Sequence, residues 1–147
     1  MKVAIGSDHG GFRLKQDLFD FIRLLGHDIV DHGTFGPDAV DYPDFASTVC
    51  NKVLTGEADR GILICGTGIG MSIAANKLPG IRCALVHDVF SAKATREHND
   101  SNVLAMGERV VGPGLAQEIV AAWLSTDFSA GERHRNRIAK THALESR

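Results

Sequence analysis

The chain has 147 residues, 44% of them apolar and 23% charged, which suits one soluble domain with one sizeable core. A formal net charge of −2 gives no global basic field for nucleic acid or membrane surfaces, and no apolar run approaches the roughly 20 residues of a membrane span. Cys50, Cys65 and Cys83 lack metal-ligand spacing and are an odd set for a disulfide framework; with no signal-peptide pattern in MKVAIGSDHGG, a reducing cytoplasm is the expected compartment.

Lys2–Ser7 (KVAIGS) reads as a strand, followed by a turn at Asp8-His9-Gly10-Gly11. Leu14, Leu18, Phe21, Ile22 and Leu25 recur at helical spacing, with Gly26 as a stop. His27–Asp31 reads as a second strand and His32–Asp41 as a loop. Pro43 opens a helix whose apolar face is Phe45, Ala46, Val49, Cys50, Val53 and Leu54, closed by Gly56. Gly61–Cys65 is continuously apolar, as a strand buried on both faces should be. Met71–Lys77 is predicted helical, Ile81–Val86 a strand, Ser91–Glu97 a helix and Asn102–Met106 the fifth strand. Pro113 introduces a helix with Leu115, Ala116, Ile119, Val120 and Trp123, and a last, basic helix begins near Glu132.

This alternation predicts an α/β fold: a three-layer, doubly wound, Rossmann-like sandwich around a five-stranded parallel sheet. The chain reads as one domain over residues 1–147, with no internal repeat or linker and with residues from about 130 forming the basic helix. In such sheets ligands bind beyond the carboxyl ends of the strands, where Asp8 and His9, Cys65 to Gly70, and His87 and Asp88 fall.

The loop Gly66-Thr67-Gly68-Ile69-Gly70 leads from strand to helix, so its N–H groups can converge on an anion. It is not a Walker loop. It also departs from the dinucleotide fingerprint, because Met71 stands where the third glycine belongs; Asp88, about 20 residues on, keeps a nucleotide reading open. For an arbitrary cysteine a small buried hydrophobe is the better reading, and Cys50 and Cys83 take it. Cys65 differs, because oriented N–H dipoles and a helix N-terminus favour its thiolate. The same N–H groups can stabilise an oxyanion on a substrate beside it.

His9 and His98, each taken singly, suit a turn or the surface. Asp8, His9, His87, Asp88 and His98 are of the right types for metal ligands, but no spacing supports a site. In ERHRNRIAK, Arg133 and Arg137 are one helical turn apart and together suit a phosphate. A solvated basic face is the ordinary reading of such a run. Yet the helix carries few apolar residues besides Ile138 and Leu144, so it is expected to dock on a neighbouring subunit and deliver arginines there. Nucleic acid is disfavoured by the absence of an aromatic platform.

In order, the segments IGSDHGG, DYPDFA, GILICGTGIGMSIAANK, GIRCALVHD, REHNDSNVLAMGERVVG and GERHRNR resemble the type B ribose-5-phosphate isomerases, within the wider family that includes the galactose-6-phosphate isomerase subunits. The resemblance covers nearly the whole chain and implies aldose–ketose isomerisation of a phosphorylated sugar without metal or organic cofactor. Cys65 matches the proton-abstracting base, with Thr67 its polar neighbour and Gly66, Gly68, Ile69 and Gly70 completing the anion hole. His98 matches the acid that helps open the furanose ring, with Asp8 nearby and Asn99 holding sugar hydroxyls. His9, Arg133 and Arg137 match phosphate ligands, and Arg109 and Tyr42 are further substrate-binding matches.

Family sites lie at a dimer interface, so a homodimer or a dimer of dimers with shared sites is expected. One branch of the family uses a glutamate base at the position of Met71 here. Methionine takes no proton, which leaves Cys65 as the base. His98 and Asn99 together favour a pentose phosphate over six-carbon substrates such as allose 6-phosphate or galactose 6-phosphate, while a non-catalytic phosphosugar-binding module is the alternative of another class.

Overall fold

The computed structural model describes residues 1–146. Strands β1 (Lys2–Ser7), β2 (Asp28–Asp31), β3 (Arg60–Cys65), β4 (Cys83–Leu85) and β5 (Val103–Gly107) form one parallel sheet in the order β2-β1-β3-β5-β4. Helices α1 (Phe12–Leu24), α2 (Tyr42–Leu54), α3 (Ile69–Ala75), α4 (Val89–Asn99), α5 (Pro113–Ser125) and α6 (Glu132–His142) follow the strands in turn, with a single 3₁₀ turn at His9–Gly11.

Alternation along the central strands divides the core into two layers. Ile62 and Ile64 of β3, with Leu104 and Met106 of β5, face α1, α4 and α5 through Leu14, Leu18, Ile22, Ala92, Ile119 and Trp123. Leu63 and Cys65, with Val103 and Ala105, face α2 and α3 through Ala46, Val49, Cys50, Met71 and Ala75. Because β3 is covered on both faces, all six of its residues are buried, which is why its sequence lacks polar alternation. The indole N–H of Trp123 donates to Ser101 Oγ at 2.9 Å, so this buried aromatic leaves no donor unpaired.

Three elements begin two residues away from expectation. Strand β4 is shorter than Ile81–Val86 because Arg82 gives its N–H to the side chain of Asn102, at 2.8 Å, instead of to the ladder. Helix α4 starts two residues earlier than expected, at Val89, because Asp88 caps it by accepting from Ser91 N–H at 2.6 Å. This bond is the first of the causes holding the Asp88 carboxyl below its ordinary range. Helix α3 starts directly after Gly68, at Ile69 rather than Met71.

Helix α6 buries little of its own, as its sequence suggests, and residues flanking it tie it to the rest of the chain. His134 is buried and Ile138 half-buried. Just before the helix, Ser129 N–H donates to the Glu97 carbonyl of α4 at 3.2 Å. Beyond its other end, Glu145 accepts from Gly80 N–H at 3.0 Å.

Candidate active site

The carboxyl ends of β1, β3 and β5 assemble one polar cluster. Cys65, the last residue of β3, retains 5% exposure. The chain then turns through Gly66, Thr67 and Gly68 into α3, and Gly68 N–H donates to Cys65 Sγ at 3.0 Å. Only glycine suits position 68. Its φ is +76°, and a Cβ there would stand 2.6 Å from Leu85 and 2.7 Å from the backbone of Met106. Loop and sulfur are thereby locked together. Thr67 Oγ1 accepts from Ile69 N–H at 3.3 Å, which keeps this exposed hydroxyl at the loop's mouth.

Neighbouring elements close around the loop. Arg109 N–H donates to the Gly66 carbonyl at 3.0 Å, and its guanidinium lies over Gly66, where a Cβ would be 3.2 Å from Nη1. The Tyr42 ring lies against Gly70 in the same way, 2.8 Å from a Cβ placed there. Asp8 is 7% exposed; its N–H donates to the Ile64 carbonyl at 3.2 Å and its Oδ1 accepts from Gly10 N–H at 2.8 Å. His9 Nδ1 accepts from Val40 N–H at 3.2 Å, which puts its proton on Nε2 in the neutral form and ties the His32–Asp41 loop to the site. The structure therefore brings together Asp8, His9, Tyr42, Cys65, Gly66 to Gly70 and Arg109.

Two supports flank this cluster: Glu108, which the sequence did not single out, and His87, expected only at the sheet's ligand edge. Glu108 Oε2 accepts from Leu14 N–H at 2.9 Å, so a carboxylate of the chain itself occupies the start of α1. His87 Nε2 accepts from Gly107 N–H at 3.1 Å, pinning the end of β5 beside the loop. Both follow strand ends, the only signal the sequence offered. Burial pushes the Cys50 thiol up to about 12 and also raises that of Cys83.

The remaining expected site residues stand elsewhere. Helix α4 leaves the carboxyl edge at Val89 and runs back across the sheet, so its 11 residues, at a rise of roughly 1.5 Å each, carry His98 and Asn99 about 14–15 Å to the opposite rim. The sheet register agrees. Gly61 N–H donates to the carbonyl of Asn102, just beyond α4, and Gly61 lies about 13 Å below Cys65 along β3. One chain does not bring Cys65 to His98.

At that rim a cavity of about 510 Å³ is lined by Arg82, His98, Asn99, His134 and Arg137 among others. The rings of His98 and His134 stack 4.6 Å apart and 5° from parallel. Arg133 Nε donates to His134 Nε2 at 3.2 Å. Arg82 donates to the carbonyls of Asn99 and Asp100 at 3.0 and 2.7 Å, satisfying the last turn of α4, and meets His142 Nε2 at 2.9 Å. Arg82, Arg133 and Arg137 make the rim cationic, with Asp100 answering Arg82 and Arg96. Thus Arg133, Arg137, His98 and Asn99 form a second cluster, suited to an anionic group, and Asp8, His9, His87, Asp88 and His98 do not converge. Among the described residues no group of three or more His, Cys, Asp or Glu side chains is placed to hold a metal ion, and no helix is long and apolar enough to cross a membrane.

Comparison with known proteins places this geometry. The sequence model of the Ribose/Galactose Isomerase family matches residues 3–141. Ribose-5-phosphate isomerase B of Escherichia coli is 48% identical over 146 residues, which cover 99% of this chain and 97% of that protein. The structure of ribose-5-phosphate isomerase B of Clostridium thermocellum superposes with a TM-score of 0.97 at 53% identity, over 99% of this chain and 98% of that one. The crystal structure of ribose-5-phosphate isomerase B from Mycoplasma genitalium, with bound ribulose-5-phosphate, superposes with a TM-score of 0.93 at 39% identity, over 99% of this chain and 96% of that one.

Proposed function

This chain belongs to the ribose/galactose isomerase family, and on that premise we propose that it interconverts ribose 5-phosphate and ribulose 5-phosphate in sites built from two chains. Each site takes its Cys65 cluster from one protomer and its His98 cluster from the partner. Two copies are the smallest assembly that unites the two, and a dimer of dimers repeats it. Exposed apolar side chains flank the open β4 edge and suit such an interface: Ile69 (50%), Ile73 (56%), Leu85 (39%) and Phe90 (80%).

The chemistry follows from the residues. Arg133 and Arg137, facing His9 across the interface, hold the phosphate in forked, charge-assisted bonds. His98 moves the hydroxyl proton that opens the furanose ring, while Asp8 and Asn99 orient sugar hydroxyls. The Cys65 thiolate takes the C2 proton of the open aldose, electrons shift toward the carbonyl, and an enediolate forms. The O2 hydroxyl proton passes to O1, and the thiol, whose proton exchanges with solvent in the meantime, delivers a proton to C1, giving the ketose. Gly66 to Gly70 offer N–H groups to the negative oxygen, with Thr67, Tyr42 and Arg109 bounding the site, and no step is routed through a metal or organic cofactor. An ionised thiol base suits a reducing compartment, and we assign the protein to the cytoplasm.

The observation that carries this reading is the Gly68 N–H bonded to Cys65 Sγ, which joins base and anion cradle in one loop. Turnover of a panel comprising ribose 5-phosphate, allose 6-phosphate and galactose 6-phosphate tests it. The pentose phosphate is expected to be isomerised best. Binding without turnover of any sugar would leave only a phosphosugar-binding module.

A further inference from the structure

We propose that His134 is a positioning residue with two separable tasks, a role that rests on the isomerase reading above: its ring fixes the orientation of His98, and its Nε2 tethers Arg133. The need for such a device is visible at His98. That side chain is 47% exposed at the end of α4, Glu97 lies 4.0 Å from its Nε2, and it makes no side-chain hydrogen bond among the described residues. A histidine χ2 is broad and roughly two-fold, so an unsupported imidazole presents its proton in more than one direction. Misplacing a reacting group by ~1 Å costs on the order of 10²-fold in rate.

His134 supplies the missing support from a different element. It is 6% exposed, its N–H donates to the Gly131 carbonyl at 3.0 Å, and its ring lies flat on that of His98 at 4.6 Å. A buried polar ring in a helix that otherwise exposes its charges calls for an explanation, and the stack is one. The bond from Arg133 Nε requires an unprotonated Nε2, so the His134 ring is neutral with its proton on Nδ1. Burial first, and then the charges of His98, Arg133 and Arg137, hold its pKa below the ordinary imidazole value. A neutral ring tolerates both states of its partner, whereas two stacked imidazolium rings would repel. His98 can therefore gain and lose a proton without leaving the stack.

The two tasks separate by substitution, read as steady-state kinetics on ribose 5-phosphate with the intact assembly. His134→Phe keeps a flat ring but offers Arg133 no acceptor, so it should hold kcat within about threefold of wild type while KM rises about three- to tenfold. His134→Gln offers Arg133 an acceptor but no ring, so kcat should fall about 10- to 100-fold with KM near wild type. Relaxation of the His98 ring carbons by NMR, measured without substrate, should show a rigid ring in wild type and His134→Phe and a mobile one in His134→Gln. Equal kcat in the two variants, or an equally rigid His98 ring in both, overturns the proposal. Wild-type protein that binds but does not turn over ribose 5-phosphate removes the isomerase reading instead, and the NMR comparison then decides the positioning role by itself.

Discussion

Because Cys65 and His98 lie at opposite rims of one sheet, two inactive variants should rescue one another. In the proposed pairing each site takes Cys65 from one chain and His98 from the other. A heterodimer of Cys65→Ala and His98→Ala chains therefore has one doubly damaged site and one with both groups native. Refolding an equimolar mixture yields about half heterodimers, each with one working site of two, so activity should reach about 25% of wild type. Each variant alone should retain on the order of 1% or less, as expected for loss of a proton-transfer group. The rims are set apart by the length of β3, about 13 Å from Gly61 to Cys65, which keeps Cys65 and His98 of a single chain from meeting, since reacting atoms must approach to roughly 3–3.5 Å. Ribulose 5-phosphate formation would be followed after mixing, with heterodimers counted by native mass spectrometry. Confirmed heterodimers with no more activity than the parents would refute the shared-site reasoning.

Other consequences are as direct. With Cys50 at about 12, only about one in 10⁴ of its thiols is ionised at pH 8, and burial raises Cys83 too, so peptide mass spectrometry should find iodoacetamide on Cys65 first, with ribose 5-phosphate slowing its capture. Gly68→Ala meets both a left-handed φ of +76° and the backbone of Met106, and urea unfolding should show a loss of about 2–5 kcal/mol together with diminished turnover; an unchanged midpoint would contradict the close packing. His27, His32 and His134 have pKa values lowered mainly by burial, so the unfolded chain binds their protons first. Stability should accordingly fall as pH drops below the ordinary imidazole value of about 6.5, and a Tm that rises between about pH 7 and 5 would oppose this.

Much of this was legible in the chain because its signals are local. Continuous apolar runs mark the buried strands, Pro43 and Pro113 mark helix starts, and the Cys65–Gly70 loop is contiguous, so its chemistry can be read in place. Helix α4 was longer and β4 shorter than their patterns suggested because the Asp88 cap and the Arg82–Asn102 bond are side-chain choices that hydrophobic periodicity does not carry. The division of the site was harder to read. It depends on the direction of α4, and periodicity gives a helix's face without saying where its far end lies. His134 was missed for the opposite reason: in ERHRNR it looks like one more solvated polar residue, and only tertiary packing shows it buried on His98.

The central claim, a cysteine base that carries hydrogen between neighbouring carbons of a sugar phosphate, is tested most directly by isomerising ribose 5-phosphate in deuterium oxide and reading deuterium at C1 and C2 by NMR. Wild-type protein should introduce deuterium into recovered aldose and ketose, and folded Cys65→Ala should introduce none above the uncatalysed rate. Deuterium incorporation by Cys65→Ala at the wild-type rate would contradict the account.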